Sequence, residues 1–175
     1  EYLNAVLLYS LLQKQEHDFH LRLRPVRIAM PVNLRRFFPS KTLRNFITMV
    51  YPSIDPRLGD YTFEEIVTQV HHYMRYYINS KFLRGDITTN ASTQRNPLIR
   101  IVPLFLKDFV VRQFYQRVQD KNSSAGLTNM GAIRVPDDMK PYLERFDIYM
   151  GIPYSQRTNC AIVSFEDTLT VNFAS

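Results

Sequence analysis

The sequence predicts an α/β chain. Three observations carry that prediction. Segments with apolar residues at helical spacing alternate along the chain with short segments that read as strands. The last third is different in texture, almost all short strands. The hydrophobic fraction is 45%, with 13% aromatic residues, which is enough for a real core and excludes a disordered chain. The 175 residues suit one domain, or half of a larger two-lobed protein.

Residues 1–15 read as a helix, because Leu3, Val6, Leu7, Ser10 and Leu11 recur at helical spacing. No capping residue opens it, so the helix is expected to begin before residue 1. Residues 20–32, HLRLRPVRIAMPV, alternate at Leu21 and Leu23 and become apolar from Ile28 to Val32, as a strand does on entering a core. Pro25 and Pro31 interrupt it and predict a kinked or bulged edge strand. Pro39-Ser40 reads as a turn and the start of a helix or a further turn, with Ser40 as candidate N-cap, and residues 45–50 as a short strand. A loop rich in Pro, Gly and Asp fills residues 51–60.

The clearest helix follows. Thr62 and Glu65 stand at capping-box spacing, and Phe63, Ile66, Val67, Val70, Met74 and Tyr77 form its buried stripe, to about residue 82. Residues 84–96 read as a polar connection and residues 97–120 as a second long helix that Pro103 kinks or breaks. Residues 121–126 read as a loop. Strands are predicted over residues 127–135, 145–151, 159–165 and 168–173, the last two a hairpin about Glu166-Asp167 without the favoured glycine. Asp137-Asp138 reads as the cap of a short segment, residues 139–143.

The formal net charge is +6, from 16 Arg and 6 Lys against 16 Asp and Glu. Arginine suits planar anions such as carboxylate and phosphate. The basic residues are scattered, however, and no nucleic-acid-binding signature is present. A basic nucleic-acid-binding module would show binding that collapses steeply with salt, and the dispersed arginines argue against it. One cysteine, Cys160, rules out an internal disulfide and suits a reducing compartment such as the cytoplasm; in the run CAIVSF it reads as a small core residue. The apolar runs are too short to span a membrane, and no signal peptide is visible.

His71-His72 is the tempting pair for general base or metal chemistry. Neighbours on a helix point about 100° apart, and positions three and four beyond them hold Met74, Arg75 and Tyr76, so a structural role is the better reading. His17 and His20 flank Asp18 at a helix-to-strand junction and read as surface residues. No nucleophile elbow, GxGxxG or P-loop occurs. Two polar constellations interrupt apolar context: Asn33, Arg35, Arg36, Arg44 and Asn45, and then Thr128-Asn129-Met130-Gly131. They either tie loop backbone at strand ends or line the mouth of a pocket.

Taken in order, MPVNLRRFFPSKTLRNF, NPLIRIVPLFLKDFVVRQFY, LTNMGAIRVPDDM, and FDIYMG followed by NCAIVSFEDTLTVNF cover most of the chain. This set resembles the C-terminal half of the coenzyme-A-dependent acyltransferase superfamily, nearest its alcohol acetyltransferase-like branch. That superfamily includes chloramphenicol acetyltransferase-like enzymes and the condensation domains of nonribosomal peptide synthesis. The specificity lies in the ordered set, since no single motif is as diagnostic as a metal-ligand pattern. The resemblance implies a chloramphenicol acetyltransferase-like lobe: a mixed β-sheet flanked by helices, facing an N-terminal lobe across a tunnel. It also implies acyl transfer, acetyl foremost, from acyl-CoA as co-substrate to a small alcohol or amine, with no permanently bound cofactor and no metal.

The family's base is the second histidine of an HHxxxDG motif in the N-terminal lobe. Here Tyr76 and Tyr77 stand where that pattern has Asp and Gly, so the chain is expected to be a C-terminal lobe, inactive alone. By the resemblance, Thr128 matches the hydroxyl that donates to the oxyanion, with Asn129 beside it. Asn33, Arg35 and Asn45 match positions that line the tunnel or brace the facing lobe. FDIYMG keeps the spacing of the family's DFGWG segment but little of its chemistry. The alternative is a condensation-type or non-catalytic relative, acting on carrier-protein thioesters or binding a partner.

Overall fold

The computed structural model describes residues 1–17, 22–43, 45–95, 123–151 and 158–174, with the single positions 103, 104, 108 and 113. The elements in chain order are α1 (Tyr2–His17), β1 (Val26–Asn33), β2 (Ile47–Val50), β3 (Ser53–Ile54), α2 (Phe63–Tyr77), α3 (Ser80–Arg95), β4 (Ala125–Ala132), β5 (Asn159–Phe165) and β6 (Thr168–Ala174). The described strands make one six-stranded sheet in the order β2-β1-β4-β5-β6, with β3 beside β2 on β1. β1, β4 and β5 run parallel, and β2, β3 and β6 are antiparallel to their neighbours. The fold is therefore α/β, a mixed open sheet flanked by helices.

One face of the sheet carries α1 and α2. Ala5, Leu8 and Leu12 of α1 and Ile66, Val70 and Met74 of α2 pack on Val26, Ile28 and Val32 of β1, Leu127 of β4, and Cys160 and Ile162 of β5. The stripe of α1 differs by one position from its expected place: Ala5 and Leu8 are buried while Val6 is exposed. α2 behaves as its sequence dictates. The Thr62 hydroxyl accepts the Glu65 N–H, and the Glu65 carboxylate accepts the Thr62 N–H at 2.8 Å, a complete capping box.

The helix does not run on to residue 82. It stops at Tyr77, and the Asn79 side chain accepts the N–H groups of Lys81 and Phe82, which caps a new helix. The stretch 84–95, expected as a polar connection, is thus the body of α3. Only Leu83 of its described side chains is buried, so α3 presents little apolar periodicity to read. The expected helix over 97–120 lies outside the described residues apart from 103, 104, 108 and 113.

β1 is an interior strand, contrary to the expectation that Pro25 and Pro31 put it at an edge. The reason is directional. Successive backbone groups of a strand point to opposite edges. Ile28 donates its N–H to the Pro52 carbonyl on the β3 side, and Arg27 donates its N–H to the Ser124 hydroxyl on the β4 side. Pro31, an even number of residues from Arg27, therefore aims its nitrogen toward β4. It has no hydrogen there, and the β1–β4 ladder covers only Ile28–Ala29 against Ala125–Gly126. On the other side, β2 and β3 keep one register along β1, interrupted at Tyr51-Pro52. Pro31 sits opposite Met49 in that ladder.

At Ser40 the turn alternative holds, with its hydroxyl accepting the Thr42 N–H in a local turn and no helix beginning there. Two further expectations are corrected. Asp137-Asp138 caps nothing with a side chain, and Asp137 instead pairs with Lys140 at 2.9 Å. Residues 145–151 join no strand ladder. Side chains of β5 and β6 hold them on the sheet. The β5–β6 hairpin is present, with Glu166 at φ +47° in the turn.

Candidate functional site

The parallel strands β1, β4 and β5 place their carboxyl ends at one edge of the sheet. In open α/β sheets ligands bind outside the carboxyl ends of the strands. β1 and β4 separate after Ala29 and Gly126. Asn33 lies at the end of β1, and Thr128 and Asn129 lie beyond the separation on β4.

Strand alternation divides these residues between the two faces. Ala29 is level with Gly126, so Asn33 and Thr128 stand on the face away from α1 and α2, and Asn129 on the face that carries those helices. Thr128 is half-buried beside Ala161 of β5; Asn129 and Asn33 are exposed. A β-bulge follows Asn129, and its Oδ1 accepts the Gly131 N–H at 2.8 Å. Gly131 has φ +75°, a conformation that favours glycine. The bulge turns the end of β4 away from a regular ladder.

At the end of β1, Asn33 Oδ1 accepts the Arg35 N–H at 3.0 Å and caps a short 3₁₀ turn, Leu34–Arg36. The Arg35 guanidinium donates to the Thr42 carbonyl at 2.9 Å, closing the loop that leads to β2. Leu34 donates its N–H to the Phe46 carbonyl, so Asn45 lies next to this turn, exposed. The structure thus gathers Asn33, Arg35 and Asn45 at one corner of the sheet. Arg44 lies outside the described residues.

The FDIYMG segment crosses the face that carries Thr128. Phe146 meets Phe165 of β5 edge-on, ring centres 5.1 Å apart. Asn172 of β6 donates its amide to the Ile148 carbonyl at 3.2 Å, and Asn159 of β5 donates to the Gly151 carbonyl at 2.8 Å. Two asparagine amides thus supply backbone bonds that a neighbouring strand would otherwise make. Sequence reasoning missed both asparagines. Their signal is an amide in an otherwise apolar strand.

The histidines stand apart from this edge. His71 Nδ1 lies 2.9 Å from Glu1 Oε2, joining α2 to the start of the chain, and that contact lowers the Glu1 carboxyl pKa. The His71 and His72 rings are edge-on at 5.8 Å. His17 ends α1, and Asp18 and His20 lie outside the described residues. Cys160 is buried in the core, and burial pushes its thiol pKa up, which disfavours the nucleophilic thiolate. Among the described residues no three His, Cys, Asp or Glu side chains converge on a metal position. No helix among them is long and apolar enough to cross a membrane.

Comparison with family models, with curated proteins and with solved structures finds no match to this chain.

Proposed function

We propose that the chain is the C-terminal lobe of a coenzyme-A-dependent acyltransferase, working within a longer cytoplasmic protein. The reaction moves an acyl group, acetyl foremost, from acyl-CoA to a small alcohol or amine. The observation that carries the reading is the place of Thr128, a half-buried residue just past the end of the parallel β1–β4 ladder. That position gives a neutral donor at the sheet edge where open α/β folds take ligands. The ordered set of segments that resemble the superfamily supports it, as does a mixed sheet flanked by helices.

In this reading a histidine of the N-terminal lobe takes the proton from the acceptor O–H or N–H. The acceptor then attacks the thioester carbonyl carbon. The oxyanion that forms accepts a hydrogen bond from Thr128 Oγ. Collapse breaks the carbon–sulfur bond, and the thiolate leaves with the proton held by the histidine as free CoA. Asn33, Arg35, Asn45 and Asn129 line the approach or brace the facing lobe.

The test mixes the full-length protein with acetyl-CoA and a panel of alcohols and amines, and follows free thiol. Acceptor-dependent release is the expected result. Thr128→Ala should lower kcat by about 10²–10³, the usual loss on removing an oxyanion donor, with acyl-CoA binding retained. Release from a carrier-protein thioester but not from acyl-CoA would replace this reading with a condensation-type one. Unchanged turnover in Thr128→Ala would remove that residue from the mechanism.

A further inference from the structure

We propose that the cavity between β2, α2 and α3 is a binding site for a small organic cation, an alkylammonium head group. The cavity has a volume of about 190 Å³ and is lined chiefly by Thr48, Val50, Tyr73, Tyr77, Phe82 and Asp86. Drug-sized sites start at about 300 Å³, so this one takes a head group and not a whole large ligand.

The walls are aromatic. Tyr73 and Tyr77 are one turn apart on α2 and stack at 4.3 Å with an angle of 28°. Phe82, at the start of α3, meets Tyr77 at 4.6 Å and 81°. Tyr77 and Phe82 pack edge to face, and with Tyr73 they make one wall of the cavity aromatic, with Asp86 beside it. The ring faces are electron-rich, and a weakly hydrated alkylammonium gains more from them than a neutral group of the same shape.

The charge is also placed. Asp86, one turn beyond Phe82, is the one acidic residue lining the cavity. The Thr48 hydroxyl donates to Asp86 Oδ2. That bond orients the carboxylate without neutralising it. Among the described residues no Lys, Arg or His forms an ion pair with Asp86, although the chain carries 22 Lys and Arg. The nearby Arg84 guanidinium lies over the Phe38 ring at 5.9 Å. Tyr73 accepts the Tyr51 N–H at 3.0 Å, and burial pushes its phenol pKa up, so it stays neutral. The lining thus presents one carboxylate beside an aromatic wall, the complement of a small organic cation. The site does not depend on the acyl-transfer reading.

The test titrates the full chain with choline and, separately, with 3,3-dimethylbutan-1-ol, its neutral isostere. Binding is read by isothermal titration calorimetry, which needs no reporter in the cavity. The expected result is saturable choline binding, with the isostere about tenfold weaker or worse. Asp86→Asn and Tyr77→Leu, checked for folding by circular dichroism, should each weaken choline about tenfold. Equal binding of the two ligands, no choline binding, or full affinity in a folded Asp86→Asn chain would overturn the proposal. Should neither variant fold, the isostere comparison on the unaltered chain still decides. Phosphatidylcholine vesicles identify the source. Choline binding together with vesicle binding supports a lipid head group, and choline binding alone a free cation.

Discussion

The side-chain amide of Asn159 donates to the Gly151 carbonyl at 2.8 Å from a position that is 1% exposed. Its Oδ1 is also buried, with no hydrogen-bond partner among the described residues. Asn159→Ala removes the donor of this part-buried bond together with the unpaired Oδ1, and opens space at a fully buried position, for an expected net cost of about 1 kcal/mol. Urea unfolding should show a lower midpoint with an unchanged slope. Limited proteolysis should cut sooner within 146–151. An unaltered midpoint would mean that the segment is held without Asn159.

The capping box of α2 is separable from the site. Thr62→Ala deletes the acceptor for the Glu65 N–H and is expected to destabilise by about 1 kcal/mol. In a chain of this size that is a melting-temperature drop of about 2–4 °C. Thr62→Ser should restore most of it.

The β5–β6 turn carries strain that a substitution can release. Glu166 sits at φ +47°, where a non-glycine residue costs on the order of 1–2 kcal/mol. Its carboxylate also lies 3.3 Å from Lys140, an exposed pair of little net value. Glu166→Gly should therefore raise thermal stability, while Glu166→Gln, which keeps the strain and loses the pair, should change it little. A lower melting temperature for Glu166→Gly would sink the strain account.

Cys160 gives a pH signature. Burial raises the thiol pKa in the folded chain above that of the unfolded one. Its contribution is complete below the unfolded value and is lost as pH rises through the folded one, because the unfolded chain ionises first. Melting curves taken from neutral to alkaline pH should show the unaltered chain losing stability relative to Cys160→Ala past the ordinary thiol range. At neutral pH the thiol should resist alkylation until denaturant is added.

What the sequence made legible follows from the range of the forces involved. The cap and stripe of α2 lie within a few residues of each other, so spacing alone announced them. The Asn79 cap that starts α3 was equally local, yet it was masked by an apolar run continuing through Tyr77 and Ile78. Residues 145–151 alternate like a strand, but their backbone partners are amides of Asn159 and Asn172, and no local pattern reports those. The same holds for Thr48 and Asp86, brought together across 38 positions. The polar run at the end of β1 was visible as a constellation. That Asn33 and Arg35 would spend their hydrogen bonds on Leu34–Arg36 and Thr42 was not.

Pro31 has a mechanical consequence. With one donor missing on that side of β1, the ladder across the middle of the sheet has two residue pairs, extended only by the bonds between Arg27 and Ser124, whereas β5 and β6 share seven pairs. A structure loosens first where its backbone bonds are fewest. The sheet therefore has a fault line, and β4, β5 and β6 should come away from β1 as one cooperative block. In native-state hydrogen exchange the amides of β5 should share a single high protection. Those bordering the seam should open earlier and together.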